Sequence, residues 1–401
     1  MREFSLSRVC IVFLFCAAAV IAAPAQNASS TTLLSFPGPS WANGVYPYSS
    51  LVQATDGNFY GTTYGGGAYG DGTVFKISAR GALTTLHSFN GSDGGDPYGG
   101  LVQGTDGNFY GTTDLGGAFG LGTVFKITAG GTVTTLHSFD GPDGSGPVAA
   151  LVHATDGNFY GTTPYGGSGN CDSGCGTVFK ITPAGTLTTL YSFCAQTGCL
   201  DGMFPYAPLV QATDGNFYGT TSAGGASNNC YHGGVSSCGT VFKVTAAGTL
   251  TTLASFDDRD GGVPYAGLVQ ATDGNFYGTT EGGSSVFKIT PAGAITTLAS
   301  FYGNNGYQPY AGLVQATDGN FYGTTAYGGT GGNCYTPPAG CGTVFKMTPS
   351  GTLTTLHSFD QIDGYAPYGG LVQGTDGNFY GTTRWGGLNY NGTVFRLLGP
   401  R

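Results

Sequence analysis

The chain has 401 residues, of which 75 are glycine, with 13% aromatic and only 9% charged side chains and a formal net charge of −9. This mixture excludes a disordered chain and a collagen, and it suits short strands joined by tight turns. The length alone would admit two or three domains, but internal repetition overrides that count: TDGNFYGTT begins at Thr55, Thr105, Thr155, Thr213, Thr272, Thr317 and Thr375.

Taken in chain order, Arg2 and Arg8 precede an apolar run from Val9 to Ala23, and Ala23-Pro24-Ala25 supplies the small residues of a cleavage site. This predicts an export signal over residues 1–25, a mature chain from near Gln26 and no membrane span once the signal is removed. TTLLSF follows (Thr31 to Phe36), a lone copy of a phrase that closes each later unit. The first full unit runs LVQAT from Leu51, an Asp56-Gly57 turn, NFYGTT, a glycine-rich loop, GTVFKIS from Gly72, and LTTLHSF ending at Phe89. Short runs rich in Val, Thr, Phe and Tyr, bounded by Gly, Asp or Pro, predict four antiparallel strands, a to d. Asp-Gly predicts an a-to-b hairpin with both turn residues at positive φ.

Strand a recurs at 51, 101, 151, 209, 268, 313 and 371, and the seventh unit stops after its strand c, GTVFRLL, at Leu398. One meander buries too little to stand alone, so the units must pack on one another. The leading TTLLSF supplies the strand d that the last unit lacks, which a closed ring requires and an open stack does not. The prediction is an all-β, single-domain, seven-bladed β-propeller over residues 26–401, its last blade completed by the N-terminal strand.

The phrases TDGNFYGTT, GTVFK and TTLHSF, with a double glycine between the first two, resemble the GloVer (Gloeobacter/Verrucomicrobia) tandem repeat of exported bacterial proteins. The resemblance covers essentially all of the mature chain, in register seven times. It implies an exported, propeller-like repeat protein and brings no particular reaction with it.

Without the signal, eight cysteines remain in close pairs: Cys171 with Cys175, Cys194 with Cys199, Cys230 with Cys238, Cys334 with Cys341. Disulfides in an oxidising compartment are expected, so the protein should be secreted or periplasmic. Zinc is the rival for Cys171 and Cys175, but a zinc site needs four ligands; cross-pairing between the first two couples stays open. The turn Asp of each unit is matched by one cation per strand c, from Lys76 to Arg396, which predicts intrablade pairing, and His87, His137 and His357 are read as satisfied strand residues.

Variation among the copies is confined to the b-to-c and d-to-a loops, which an antiparallel blade places at one end. Fourteen carboxylates lie in those loops against only Arg259 and Arg384, a face of about −12 that repels nucleic acid and attracts cations. A Pro-Tyr pair precedes strand a at Tyr48, Tyr98, Tyr206, Tyr265, Tyr310 and Tyr368, with Val148 as the exception. Its regularity reads as packing between neighbouring blades near the channel mouth. The irregular loop residues Trp41, Tyr69, Tyr165, Tyr231, His232, Tyr327, Tyr335, Trp385 and Tyr390 are instead the candidates for ligand contact, because flat rings beside polar groups suit sugars. No cofactor is required. Calcium is a candidate ligand of the d-to-a loops through Asp93, Asp140, Asp143, Asp257, Asp260, Asp360 and Asp363, although such Asp residues also cap their own turns.

No Ser-His-Asp order, phosphate loop or dinucleotide glycine pattern is present, and the mature chain has a single glutamate, Glu281. The expectation is a monomeric binding module for an extracellular glycan or protein ligand, with no nucleic-acid partner. A polysaccharide lyase or hydrolase using loop Asp residues, and a purely structural matrix protein, are the alternatives.

Overall fold

Twenty-eight strands, numbered β1 to β28 in chain order, form seven four-stranded antiparallel sheets in a computed structural model that describes residues 29–38, 41–169, 171–227, 238–257, 259–332, 334 and 340–400. The only helical elements among these residues are two single 3-10 turns, Thr197–Cys199 and Gly303–Asn305. The first blade is β2 (Val52–Gln53), β3 (Phe59–Thr63), β4 (Thr73–Ile77) and β5 (Leu83–Ser88), paired in that order. Residues ahead of strand a from all seven blades line one cavity, so strand a lies innermost, on the axis of a propeller.

Each strand b, FYGTT, is buried at all five positions, because a blade is covered on both faces by its neighbours. On one face Tyr60 stacks on Phe109 of the next blade at 4.0 Å, and Phe89, Leu101 and Phe125 fill the same interface. The two threonines tie the frame. Thr62 donates to the carbonyl of Gly99 in the next blade at 3.0 Å, and Thr63 bonds Thr73 across the strand pair at 2.8 Å. Gly161, in the middle of its strand b, faces a ring: a Cβ there would lie 2.5 Å from Phe179 Cζ and 2.8 Å from Leu151 Cδ2. Gly161→Ala should therefore cost about 1–3 kcal/mol by overpacking, read as a lower midpoint of thermal unfolding with the circular dichroism spectrum retained.

The a-to-b hairpin differs in one detail from expectation. Gly57 alone has positive φ, +79°, and Asp56 does not. The Gly57 N–H donates to Ala54 and the Ala54 N–H to Asn58, a type I turn followed by a left-handed glycine. Asp56 keeps ordinary backbone geometry because its carboxylate is occupied, accepting from the Asn58 N–H at 3.0 Å, Tyr60 Oη at 3.0 Å and Lys76 Nζ at 2.8 Å. The intrablade pairing recurs for Lys180 with Asp156, Lys243 with Asp214, Lys288 with Asp273 and Lys346 with Asp318, but Lys126 and Arg396 do not come within 4.0 Å of Asp106 and Asp376, so five of the seven expected pairs form.

The ring closes at its ends. β1 (Ser30–Ser35) pairs antiparallel with β28 (Thr393–Leu397), joining β27 (Phe379–Thr383) and β26 (Val372–Gln373) in one sheet. Phe36, fully buried, packs beside Phe75 and Val394, and Phe59 lies 4.1 Å from Tyr380 across the seam. The seam repeats the contacts of every other interface: Thr382 donates to Ser49 at 2.9 Å as Thr62 does to Gly99.

Candidate functional site

The residue that follows each constant nonapeptide is the first to vary: Tyr64, Asp114, Pro164, Ser222, Glu281, Ala326 and Arg384. A second variable residue precedes each Pro-Tyr: Tyr46, Asp96, Gly146, Phe204, Val263, Gln308 and Ala366. All of this second set have left-handed backbone, with φ from +51° at Val263 to +63° at Gly146. The two sets are joined backbone to backbone, as in Asp114 N–H to Asp96 at 3.2 Å and Arg384 N–H to Ala366 at 3.0 Å; Pro164 has no N–H to offer. A left-handed β-branched or bulky residue costs energy, and such residues gather where geometry serves a site.

Inside these pairs stand the Pro-Tyr rings. Centroid separations are 4.8 Å for Tyr48 to Tyr98, 5.2 Å for Tyr206 to Tyr265, 5.8 Å for Tyr265 to Tyr310, 4.9 Å for Tyr310 to Tyr368 and 5.4 Å for Tyr368 to Tyr48. Val148 leaves one gap. The rings do pack on neighbouring blades, as expected, but they also wall a central cavity of about 310 Å³ lined by all seven blades. At the axis, packing and lining are the same surface, so these recurring tyrosines serve both.

Charge is placed beside this wall by the variable residues. Asp114 and Asp96 both act on Tyr98, and burial followed by the Asp96 charge pushes the Asp114 carboxyl up to about 6. Burial also raises Asp96, against the hydrogen bond from Tyr64. Glu281 accepts from Gln308 of the next blade. Arg384 lies 3.7 Å from the Trp385 ring and 4.4 Å from that of Tyr48. Burial pushes the hydroxyls of Tyr48, Tyr206 and Tyr310 far above the ordinary tyrosine range, so they stay protonated and serve as hydrogen-bond donors, not bases.

The loop aromatics divide. Tyr165 and Tyr327 reach the ring, their hydroxyls bonding those of Tyr206 and Tyr368 at 2.6 and 2.7 Å. Trp385 and Tyr390 line a cleft of about 360 Å³ with Tyr365 and Gln361, Trp385 standing 5.3 Å from Tyr365. Trp41 and Tyr69 are exposed on the outer loops. Tyr231, His232 and Tyr335 lie outside the described residues, as do Cys230 and Asp258. A larger open groove of about 930 Å³ runs past Pro142, Tyr165 and Ser173, but glycine and serine dominate its walls and it holds no charged side chain.

The calcium candidates have other occupations. Asp93, Asp143 and Asp363 take the Nε2 of His87, His137 and His357 at 2.8, 2.6 and 2.7 Å, and their second oxygens accept the N–H of residues 90, 140 and 360. Asp257 accepts from the N–H groups of Arg259 and Asp260. Among the described residues no third acidic or histidine ligand joins these pairs, and calcium wants six or more oxygens. Asp201, counted with the face charge, is fully buried and holds Tyr191 and two loop N–H groups.

The cysteines bond within their loops, Cys171 to Cys175, Cys194 to Cys199 and Cys334 to Cys341, and Cys238 is disulfide-bonded as well. The sulfurs of Cys171, Cys175 and Cys194 nevertheless lie within 4.8 Å of one another. Such bonds belong to a chain that folds outside a reducing cytoplasm. No helix among the described residues is long and apolar enough to cross a membrane.

Fold and site together define a seven-bladed β-propeller of tandem repeats with an aromatic, charged mouth at one end of its axis. The chain belongs to the Gloeobacter/Verrucomicrobia repeat family, whose model matches residues 19–231 and 229–399. No curated protein matches it. Among solved structures it is similar to a streptogramin B lyase, with 16% identity, TM-score 0.61 and cover of 92% of this chain and 97% of that one. A catalytically inactive virginiamycin B lyase from Staphylococcus aureus with quinupristin has 15% identity, TM-score 0.61 and cover of 89% and 96%. A Bacteroides uniformis protein assigned as a 6-phosphogluconolactonase has 15% identity, TM-score 0.54 and cover of 82% and 90%. Likeness at these identities shows the fold alone.

Proposed function

We propose that this protein is an exported binding module that takes a glycan at the seventh blade's side of the channel mouth. The observation that carries the reading is the cleft of Tyr365, Trp385 and Tyr390, about 360 Å³, opening beside the tyrosine-walled cavity. Sugar rings stack their apolar faces on such side chains, and the tyrosine hydroxyls around the mouth offer donors to the rim of the sugar. Titration calorimetry against oligosaccharides picked from a glycan array is the test. The Trp385→Ala, Tyr390→Ala double variant should bind about 10-fold more weakly or worse, with an unchanged melting temperature. Equal binding by the variant would sink this reading.

One observation favours catalysis as a second reading. A carboxyl raised to about 6 beside the rings of a cavity wall, as Asp114 is beside Tyr98, suits a general acid, and propellers of this shape include lyases. Turnover of polysaccharide, abolished by Asp114→Asn, would make the protein an enzyme.

A further inference from the structure

We infer that the glycan bound here is an acidic one, whose anionic group is seated on the Arg384 guanidinium. The inference rests on the binding reading above and specifies its ligand class. Arg384 follows β27 directly, at the variable position after the constant nonapeptide, and its guanidinium lies over Tyr48 and Tyr368, two of the rings that wall the central cavity. Its guanidinium is held flat among aromatic faces, 3.7 Å from Trp385, 4.4 Å from Tyr48 and 5.6 Å from Tyr368.

What it lacks is a counter-ion. Five of the seven strand-c cations, Lys76, Lys180, Lys243, Lys288 and Lys346, have an Asp within 4.0 Å; no described carboxylate lies that close to Arg384, whose side chain bonds the neutral Tyr368 hydroxyl and whose buried Nε, like that of Arg396, has no hydrogen-bond partner. A partly desolvated cation without a counter-ion is costly to keep, and the cost is recovered when an anion arrives. A guanidinium presents a planar fork that matches the two oxygens of a carboxylate or sulfate. Trp385 belongs both to this stack and to the aromatic cleft, so one sugar unit can lay its ring against the cleft and extend its charged substituent to Arg384. The carboxylates of Asp96 and Asp114, close to Tyr98 of the same wall, disfavour a second anionic group there and leave Arg384 as the place for the first.

The test uses the whole mature protein and calorimetry with tetrasaccharides of galacturonate, mannuronate and hyaluronan, each beside its carboxyl-reduced neutral counterpart, with a sulfated carrageenan tetrasaccharide as a further arm. At least one acidic member should bind 10-fold or more tightly than its neutral counterpart. Arg384→Gln should erase that preference, so that the variant binds the acidic form no more tightly than it binds the neutral one, and Arg384→Lys should keep part of it. Tight binding of the sulfated arm through Arg384 would place the preference on charge, with carboxylate geometry secondary. Thermal melts within about 2 °C of wild type would show that the variants are folded. If neutral oligosaccharides bind and no acidic or sulfated one binds better, or if Arg384→Gln leaves the preference intact, the inference fails and the binding reading stands. If no glycan of either kind binds, the binding reading itself has failed.

Discussion

A chain that begins at Pro37, and so lacks β1, should melt about 10 °C or more below the full-length protein. Its loss leaves β28 as an open edge and strips the buried Phe36 from the interface with Phe75 and Val394. Point variants make the comparison sharper. Phe36 occupies in the seam the place that Phe139 occupies in an ordinary interface, each fully buried against a strand-c phenylalanine or valine. In a closed ring Phe36→Ala and Phe139→Ala should cost the same, about 3–5 kcal/mol each, by chemical denaturation. A Phe36→Ala variant that unfolds like wild type, beside a damaged Phe139→Ala, would mean that the ends are not joined in solution.

The second large effect is an acid limb. At Asp318 burial raises the carboxyl, and hydrogen bonds from Asn320, Lys346 and Tyr322 more than offset this, leaving it at about 2. The same balance lowers Asp56, Asp106, Asp156, Asp214, Asp273 and Asp376. A carboxyl held below its unfolded value stabilises the fold above about pH 4, and that contribution disappears as the pH falls through the folded value. One such half-exposed Asp–Lys pair contributes only about 0.2–1 kcal/mol, but five of them, with the Asn and Tyr hydrogen bonds that all seven turn carboxylates accept, sum to a few in one cooperative ring. The melting temperature should therefore hold near neutrality and fall steeply between about pH 4 and pH 2. The triple variant Asp156→Asn, Asp273→Asn, Asp318→Asn should melt lower at pH 7, by a deficit that shrinks as the pH falls towards 2. An equal drop at both pH values would assign the effect to the turn and not to the charge. Asp114 runs the other way: its raised carboxyl favours the folded state while protonated, so its contribution declines as the pH rises from about 4 through 6.

Most of the architecture was legible because the letters recur. Each blade phrase satisfies a backbone or interface requirement that is the same seven times, and the complementary ends, TTLLSF and GTVFRLL, announce the seam. The Asp-to-Lys pairs and the His-to-Asp contacts follow from strand order and short separations. The site was only half legible. Long irregular loops drew the assignment outward to Trp41 and Tyr69, which project into solvent, while the Pro-Tyr repeats passed as packing. The sequence already sets these tyrosines near the channel mouth; it does not show that rings packed there also form the cavity wall. A signal was present all the same: the single letter after the constant nonapeptide runs Tyr, Asp, Pro, Ser, Glu, Ala, Arg while the nine before it do not change.

That single letter has a consequence for how such proteins diversify. Its side chain takes no part in the threonine contacts that lock blade to blade, so its exchange leaves those contacts in place. Seven identical letters would offer a ligand seven equivalent orientations; seven different ones permit a single orientation. Gene duplication supplies the symmetric barrel, and point changes at one codon per copy then write an address on it.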